Sequence, residues 1–314
     1  MTKRAQKRIL PGFRLTERDV KTVMAVYNYR ALTTPQIETL LFPPDNGQTH
    51  PTKTSRVRHR LKLLFHHGYL FRDEQPVKLH EGRKPLVYFI DKNAIPLLAK
   101  QYGVFREDID WHPRDNNVTW MFLDHILATN DVRIAIQVAA ANAGHNLTKW
   151  LDEKTLKRKE MRDSVEIVGP RGARIKASVV PDGFFCLNVG EYDYFNFLEI
   201  DMGPETGKSS KFGRRDFSRK IMAYLAYYRT GLYEKKYDPE QRYEDFPMRV
   251  LTVTTGRKRL ANLKSISEDA GADQQFWFTT FDQVKPQSVL NEPIWEIAGQ
   301  DGLFALVWPD EQGE

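Results

Sequence analysis

The sequence predicts an α/β chain, α+β overall, in which a winged helix-turn-helix precedes a mixed-sheet domain. Three observations carry this. The chain has 314 residues, enough for about two domains. Its charge is uneven: residues 1–110 hold 20 Lys and Arg against 11 Asp and Glu, a net of +9, and residues 111–314 hold 27 against 30, a net of −3. The order of periodic segments also changes, from three helices and a hairpin to strand, helix, strand, helix, strand.

Composition sets the outer limits. Hydrophobic residues at 41% and charged residues at 28% are ordinary for a soluble globular protein, which excludes wholesale disorder. The one cysteine, Cys186, excludes a disulfide framework and a cysteine zinc cluster. MTKRAQKRIL has no apolar h-region, and no stretch approaches the roughly 18 apolar residues of a membrane span. The expectation is a cytoplasmic protein, associated with nucleoid or plasmid, with no membrane partner. The basic half is the candidate for contact with a polyanion.

Residues 1–14 carry Lys3, Arg4, Lys7, Arg8 and Arg14 without an acid and read as a basic N-terminal arm. In the domain that follows, 15–110, LTERDVKTVMAVYNY gives a first helix over about 17–29, with Thr16 as N-cap and Asp19 completing a capping box. Val20, Val23, Met24 and Tyr27 are its apolar positions. LTTPQIETLLF gives a short second helix, capped by Thr34 with Pro35 in the first position. The third, TKTSRVRHRLKLLFHHGYL, has an apolar stripe of Val57, Leu61, Leu64 and Phe65, and Gly68 ends it. Lys53, Ser55, Arg56, Arg58, His59 and Lys62 fall elsewhere on it, and no acid occurs from Asn46 to Arg72. GYLFR and LVYFI then form a hairpin whose polar tip carries Lys78, Arg83 and Lys84. In a winged helix the third helix enters the major groove and the wing touches the backbone. An acid-free face suits a groove flanked by phosphates. Those nine residues are therefore the candidate contacts to double-stranded DNA. His59, His66 and His67 have no carboxylate or cysteine at ligand spacing and read as surface or packing residues.

Asn93 is placed to cap a helix carrying Ile95, Leu97 and Leu98, and the polar 106–117 stretch is the expected boundary. The second domain, 118–314, opens with a long helix lined by Met121, His125, Ala128, Val132, Ile136 and Ala139, with Asn130 and Asp131 as polar residues in a mostly buried pattern. Residues 147–153 read as a strand ending near Glu153, and the charged stretch 154–176 reads as irregular. Two β-rich runs, 177–187 and 194–201, flank NVGEYD. With the turn centred between Gly190 and Glu191, Asp182 faces Glu199, and Asp201 shares the face of Glu199. Facing carboxylates repel unless a cation or proton lies between them, and Mg²⁺ or Mn²⁺ would suit oxygen ligands. The alternative is a bulge that breaks the register, or solvated acids. A helix follows, with Phe217, Ile221, Tyr224, Leu225 and Tyr228 as its stripe and Lys220 at the margin, placed to reach solvent or the sheet edge. MRVLTVTTGRKRLANLKSI and FWFTTFDQV supply strand, helix and strand.

The order of these features resembles the replication-relaxation family of plasmids and other mobile elements. The match runs through LTERDVKTVMAVYNYRALTTPQIETLLF and SRVRHRLKLLFHHGYL to HILATNDVRIAI, VVPDGFF, FLEIDMGPET, KIMAYLAYY and VLTVTTGRKRLANL, most of residues 15–265. The second half also resembles a PD-(D/E)xK nuclease core, which implies a restriction-endonuclease-like mixed-sheet domain. That resemblance implies catalytic roles for Asp182, Glu199 and Lys220. It also implies a metal set of Asp182 and Glu199, with Asp201 adjacent and Glu153 as an extra ligand. Asp201 stands where the motif's lysine belongs, and Lys220 is the substitute. The functions implied are DNA binding in replication, relaxation or mobilisation of a plasmid, phage or integrative element, alongside replication, relaxase or transposition proteins; a homodimer is a separate expectation. The alternatives are an active Mg²⁺-dependent endonuclease and a transcription regulator with a catalytically dead nuclease-like domain.

Overall fold

The computed structural model describes residues 12–42, 51–77, 82–203, 217–238 and 249–307, apart from the side chains of residues 51–53 and 170. The chain divides into two compact units, 1–134 and 135–314.

The first unit begins with α1 (Glu17–Asn28). Thr16 caps it, and the reciprocal bonds of the capping box with Asp19 are present. β1 (Leu32–Thr33) leads into α2 (Thr34–Leu41), whose cap is Thr33, one residue earlier than the sequence suggested, because Gln36 returns a bond to the Thr33 amide. α3 (Pro51–His66) buries Val57, Leu61, Leu64 and Phe65. Gly68 then turns the chain with φ of 72°, a conformation that favours glycine. β2 (Leu70–Asp73) and β3 (Val87–Ile90) pair antiparallel, and β1 pairs with the other edge of β3, giving the order β1-β3-β2. α4 (Ala94–Tyr102) follows. Asn93 does not cap it: its backbone is already helical, φ −76° and ψ −10°, and its side-chain amide donates to the His67 carbonyl.

The polar stretch expected to separate the domains holds two 3-10 turns, Arg106–Asp108 and Pro113–Asn116. The division between units falls further on, inside α5 (Trp120–Asn142). Leu123, Ile126 and Leu127 form one buried cluster with Ala31, Val87 and Phe89. Asn130 donates to the carbonyls of Tyr29 and Ala31 at 3.0 and 2.7 Å, and Gln36 donates to the Leu127 carbonyl and to Asp131 at 3.0 and 2.7 Å. Asn130 and Gln36 thus satisfy backbone carbonyls, and Asp131 is taken up by the Gln36 side chain. Met121, expected on the buried line, is 64% exposed.

In the second unit, β4 (Asn146–Asp152) is followed directly by α6 (Glu153–Leu156). The stretch read as irregular contains a hairpin of its own, β5 (Asp163–Val168) with β6 (Arg174–Val179). The β-rich run 177–187 is consequently divided between β6 and β7 (Gly183–Val189), which lie in different sheets. Then come β8 (Tyr192–Asp201), α7 (Phe217–Thr230), α8 (Leu232–Tyr237), β9 (Arg249–Thr254), α9 (Arg257–Asp269), β10 (Phe276–Thr280) and the short edge strand β11 (Glu296–Ile297). The six-stranded sheet has the order β11-β10-β9-β8-β7-β4. β4, β7 and β8 form an antiparallel meander, β8, β9 and β10 are parallel, and β11 is antiparallel to β10. α7 packs against β5, β6 and α9. Phe184, Phe197, Phe276 and Phe278 join Ile221, Tyr224, Leu260 and Leu263 in one core. Among the described residues no helix is long and apolar enough to cross a membrane.

Candidate functional site

Two groups of side chains are candidates, one in each unit. On α3, Ser55, Arg56, Arg58, His59 and Lys62 are all exposed. The helical period explains this: Val57, Leu61, Leu64 and Phe65 take the inner face, so the cations between them face solvent. Among the described residues no carboxylate pairs with Arg56, Arg58 or Lys62. Arg60 differs. Its guanidinium turns inward and binds both oxygens of the buried Asp19, with Nε 3.0 Å from Oδ1. At the hairpin, Arg83 is ion-paired with Glu74 at 2.7 Å, a pairing the sequence did not reveal. Lys78 lies outside the described residues, as does the side chain of Lys53, and Lys84 is half-buried. His66 is buried and the His67 ring stacks on Phe13 at 4.6 Å.

In the second unit the β7–β8 ladder runs in the register read from the turn, from Val189↔Tyr192 to Gly183↔Leu198. Asp182 stands one step beyond, opposite Glu199. Its amide donates to the Leu198 carbonyl at 2.9 Å, and its Oδ2 accepts from the Ile200 amide at 2.8 Å. Across β8, Glu199 pairs with Thr252 and Asp201 with Thr254 of β9. Phe195 and Phe197 precede Glu199 on the same face, so the apolar row packed by α7 ends in carboxylates at one end of the sheet.

α7 reaches that end. Lys220 Nζ donates to Glu199 Oε2 at 2.5 Å, and the Tyr224 hydroxyl, one helical turn on, donates to Oε1 at 2.5 Å. The Glu199 side chain is 4% exposed and that of Lys220 is 43% exposed. Burial pushes the Glu199 carboxyl up to about 7; Lys220 opposes the shift and the nearby Asp182 charge adds to it. Burial works against the Lys220 ammonium, but Glu199 and Asp182 more than restore it and its value is raised. Burial, then the Glu199 charge, raises the Tyr224 phenol well above its ordinary value.

Asp201 is engaged elsewhere. Arg259, from the first turn of α9, donates Nε to Oδ2 and Nη2 to Oδ1, both at 2.9 Å, and the Thr254 hydroxyl donates to Oδ2 at 2.6 Å. Burial would raise this carboxyl, but those hydrogen bonds hold it below its usual value. Glu153 opens α6, where it pairs with Lys157, rather than ending β4. Among the described residues, no three His, Cys, Asp or Glu side chains are grouped so as to hold a metal ion. The structure brings together Asp182, Glu199 and Lys220; it assigns Asp201 to Arg259 and Glu153 to Lys157. Sequence reasoning missed Tyr224 as a Glu199 partner, although its place four residues after Lys220 was the available signal. It also missed Arg259, 58 residues from Asp201, which no spacing would have connected.

The model of the replication-relaxation family matches residues 24–240, well over half of the chain. This chain belongs to the replication-relaxation family. The matched span takes in α3 and the Asp182, Glu199 and Lys220 group, whereas Arg259 lies beyond it. No curated protein matches this family member. Two solved structures are similar at 12% identity: restriction endonuclease FokI, with a TM-score of 0.24, and restriction endonuclease FokI bound to DNA, with a TM-score of 0.23. The alignments cover 85% and 87% of this chain but 43% and 45% of those chains, so it spans less than half the length of either.

Proposed function

We propose that this replication-relaxation protein is a double-stranded DNA-binding protein of a mobile element, acting in DNA replication, relaxation or mobilisation. The observation that supports it is the solvent face of α3, where Arg56, Arg58 and Lys62 are exposed without a carboxylate partner among the described residues. The element order of the first unit, three helices with β1 joining the β2–β3 hairpin, fits a winged helix with α3 as its recognition helix. In this reading Ser55 and His59 would meet base edges and the three cations the flanking phosphates. Arg83 pairs with Glu74, but both side chains are largely exposed, so the pair costs little to open and leaves Arg83 available to a phosphate.

The test is fluorescence anisotropy of a labelled duplex between about 50 and 200 mM salt, where affinity should fall steeply. Replacing Arg56, Arg58 and Lys62 together by alanine should flatten the dependence of log K on log salt by about 3, close to one per phosphate contact. No binding at the lowest salt refutes the reading.

The second unit fits a nuclease-like core: the β4-β7-β8 meander, α7, and β9 parallel to β8 follow the order expected of that fold. The meeting of Lys220 with Glu199 favours an endonuclease, but the metal it would need does not fit the residues as folded. Both Glu199 oxygens and both Asp201 oxygens already accept hydrogen bonds from the chain itself. The nuclease-like unit is accordingly read as a scaffold, and no hydrolytic step is assigned to it.

A further inference from the structure

We infer that the Lys220 ammonium holds the place a divalent cation would take, and that the carboxylate row of this domain works without bound metal. The inference rests on the nuclease-like reading of the second unit. Its basis is the bonding of each expected ligand. Glu199 accepts from Lys220 on one oxygen and from Tyr224 on the other. One oxygen of Asp182 accepts from the Ile200 amide, which makes this carboxylate the end of the β7–β8 ladder. Asp201 is forked by Arg259 and bonded by Thr254. Glu153 is paired with Lys157 on a separate helix.

A hard divalent cation needs several oxygen ligands at once, and Mg²⁺ gives up its water reluctantly. Here it must first displace an ammonium that is part of the chain. Lys220 and Tyr224 lie one turn apart on α7, and Ile221, Tyr224 and Leu225 bury that helix in the core. The ammonium is therefore a tethered competitor, whose effective concentration is in the millimolar range or above. A free cation near millimolar gains no advantage over it. The sequence is consistent with this division of charge: an aspartate replaces the motif's lysine, and Arg259 answers that aspartate.

The experiment is a Mn²⁺ titration of the full chain followed by electron paramagnetic resonance of the free ion, with a thermal melt of each sample in Mn²⁺ and in EDTA. The wild-type chain should leave the Mn²⁺ signal undiminished at submillimolar metal, and its melting temperature should be the same in both. Lys220→Met should retain one equivalent of Mn²⁺, with at least a tenfold gain in affinity over wild type, and adding Asp182→Asn should abolish that gain. Stoichiometric Mn²⁺ retention by the wild type, lost in Asp182→Asn, overturns the inference. So does a folded Lys220→Met variant that gains no Mn²⁺. Should Lys220→Met not fold, the wild-type titration and the Mn²⁺-against-EDTA melts decide alone. Anisotropy with duplex on the same wild-type sample separates this inference from the DNA-binding proposal: absence of duplex binding without Mn²⁺ retention removes only that proposal, and Mn²⁺ retention with normal duplex binding removes the inference, and with it the scaffold reading of the second unit, but leaves the DNA-binding proposal standing.

Discussion

Arg60 shows how a single residue separates two roles on one helix. Its neighbours Arg56, Arg58 and Lys62 are exposed, whereas Arg60 closes over Asp19, whose side chain is 3% exposed. A buried carboxylate without its cation is costly, and hydrogen bonds to charged groups are worth about 1.5–3 kcal/mol. Arg60→Met should therefore lower the stability of the first unit by about 2 kcal/mol in urea unfolding at pH 7. The effect has a pH signature. Burial would raise the Asp19 carboxyl, but hydrogen bonds from Arg60 and Thr16 hold it below its ordinary value. A carboxyl lowered in the folded state contributes stability that is present above the unfolded value of 3.8 and lost as pH falls through the folded one. The gap between wild type and Arg60→Met should be full at neutral pH and close progressively below about pH 4. A gap that stays constant down to pH 3 would mean that Arg60 acts through packing on Phe13, 4.9 Å from its ring, and not through charge.

At the scale of elements, the sequence carried a great deal where one turn or one period decided the outcome. The NVGEYD turn fixed the β7–β8 register, and with it the facing of Asp182 and Glu199, because the two-residue period leaves no freedom once the turn is centred. The α3 stripe was legible for the same reason at a period of 3.6. The β5–β6 hairpin was not, because its charged residues masked an alternation that is present: Val165 and Ile167 face inward between exposed Glu166 and Val168. Partners distant in sequence, such as Arg259 for Asp201, leave no local trace. One element is held by an absence of side chain. A Cβ on Gly183 would lie 3.2 Å from Trp150 Cζ2, and that ring is stacked on Phe185 with centroids 5.4 Å apart. Gly183→Ala should therefore displace the indole, cost about 1–2 kcal/mol and alter the near-ultraviolet circular dichroism. An unchanged aromatic spectrum would show that β4 yields without strain.

At the scale of the whole molecule, the polar stretch 106–117 looked like a linker by composition, yet the first unit does not end there. Its core continues into α5, a helix whose hydrophobic pattern alone cannot tell which unit each turn serves. The contacts can: Leu123, Ile126 and Leu127 close the cluster of Ala31, Val87 and Phe89, and Asn130 satisfies two backbone carbonyls at the α1–β1 corner. Losing one large buried aliphatic side chain costs roughly 2–5 kcal/mol, and a domain has only about 5–15 kcal/mol in total. A fragment of residues 12–142 should therefore melt cooperatively, and one of residues 12–117, lacking three such side chains and the Asn130 bonds, should not. Circular dichroism melts of the two distinguish them. A cooperative transition in the shorter fragment at the temperature of the longer would place the α5 contacts outside what the first unit needs to fold. If the longer fragment alone folds, it is also the smallest piece expected to present the α3 face to a duplex, so its salt-dependent binding should match that of the full chain.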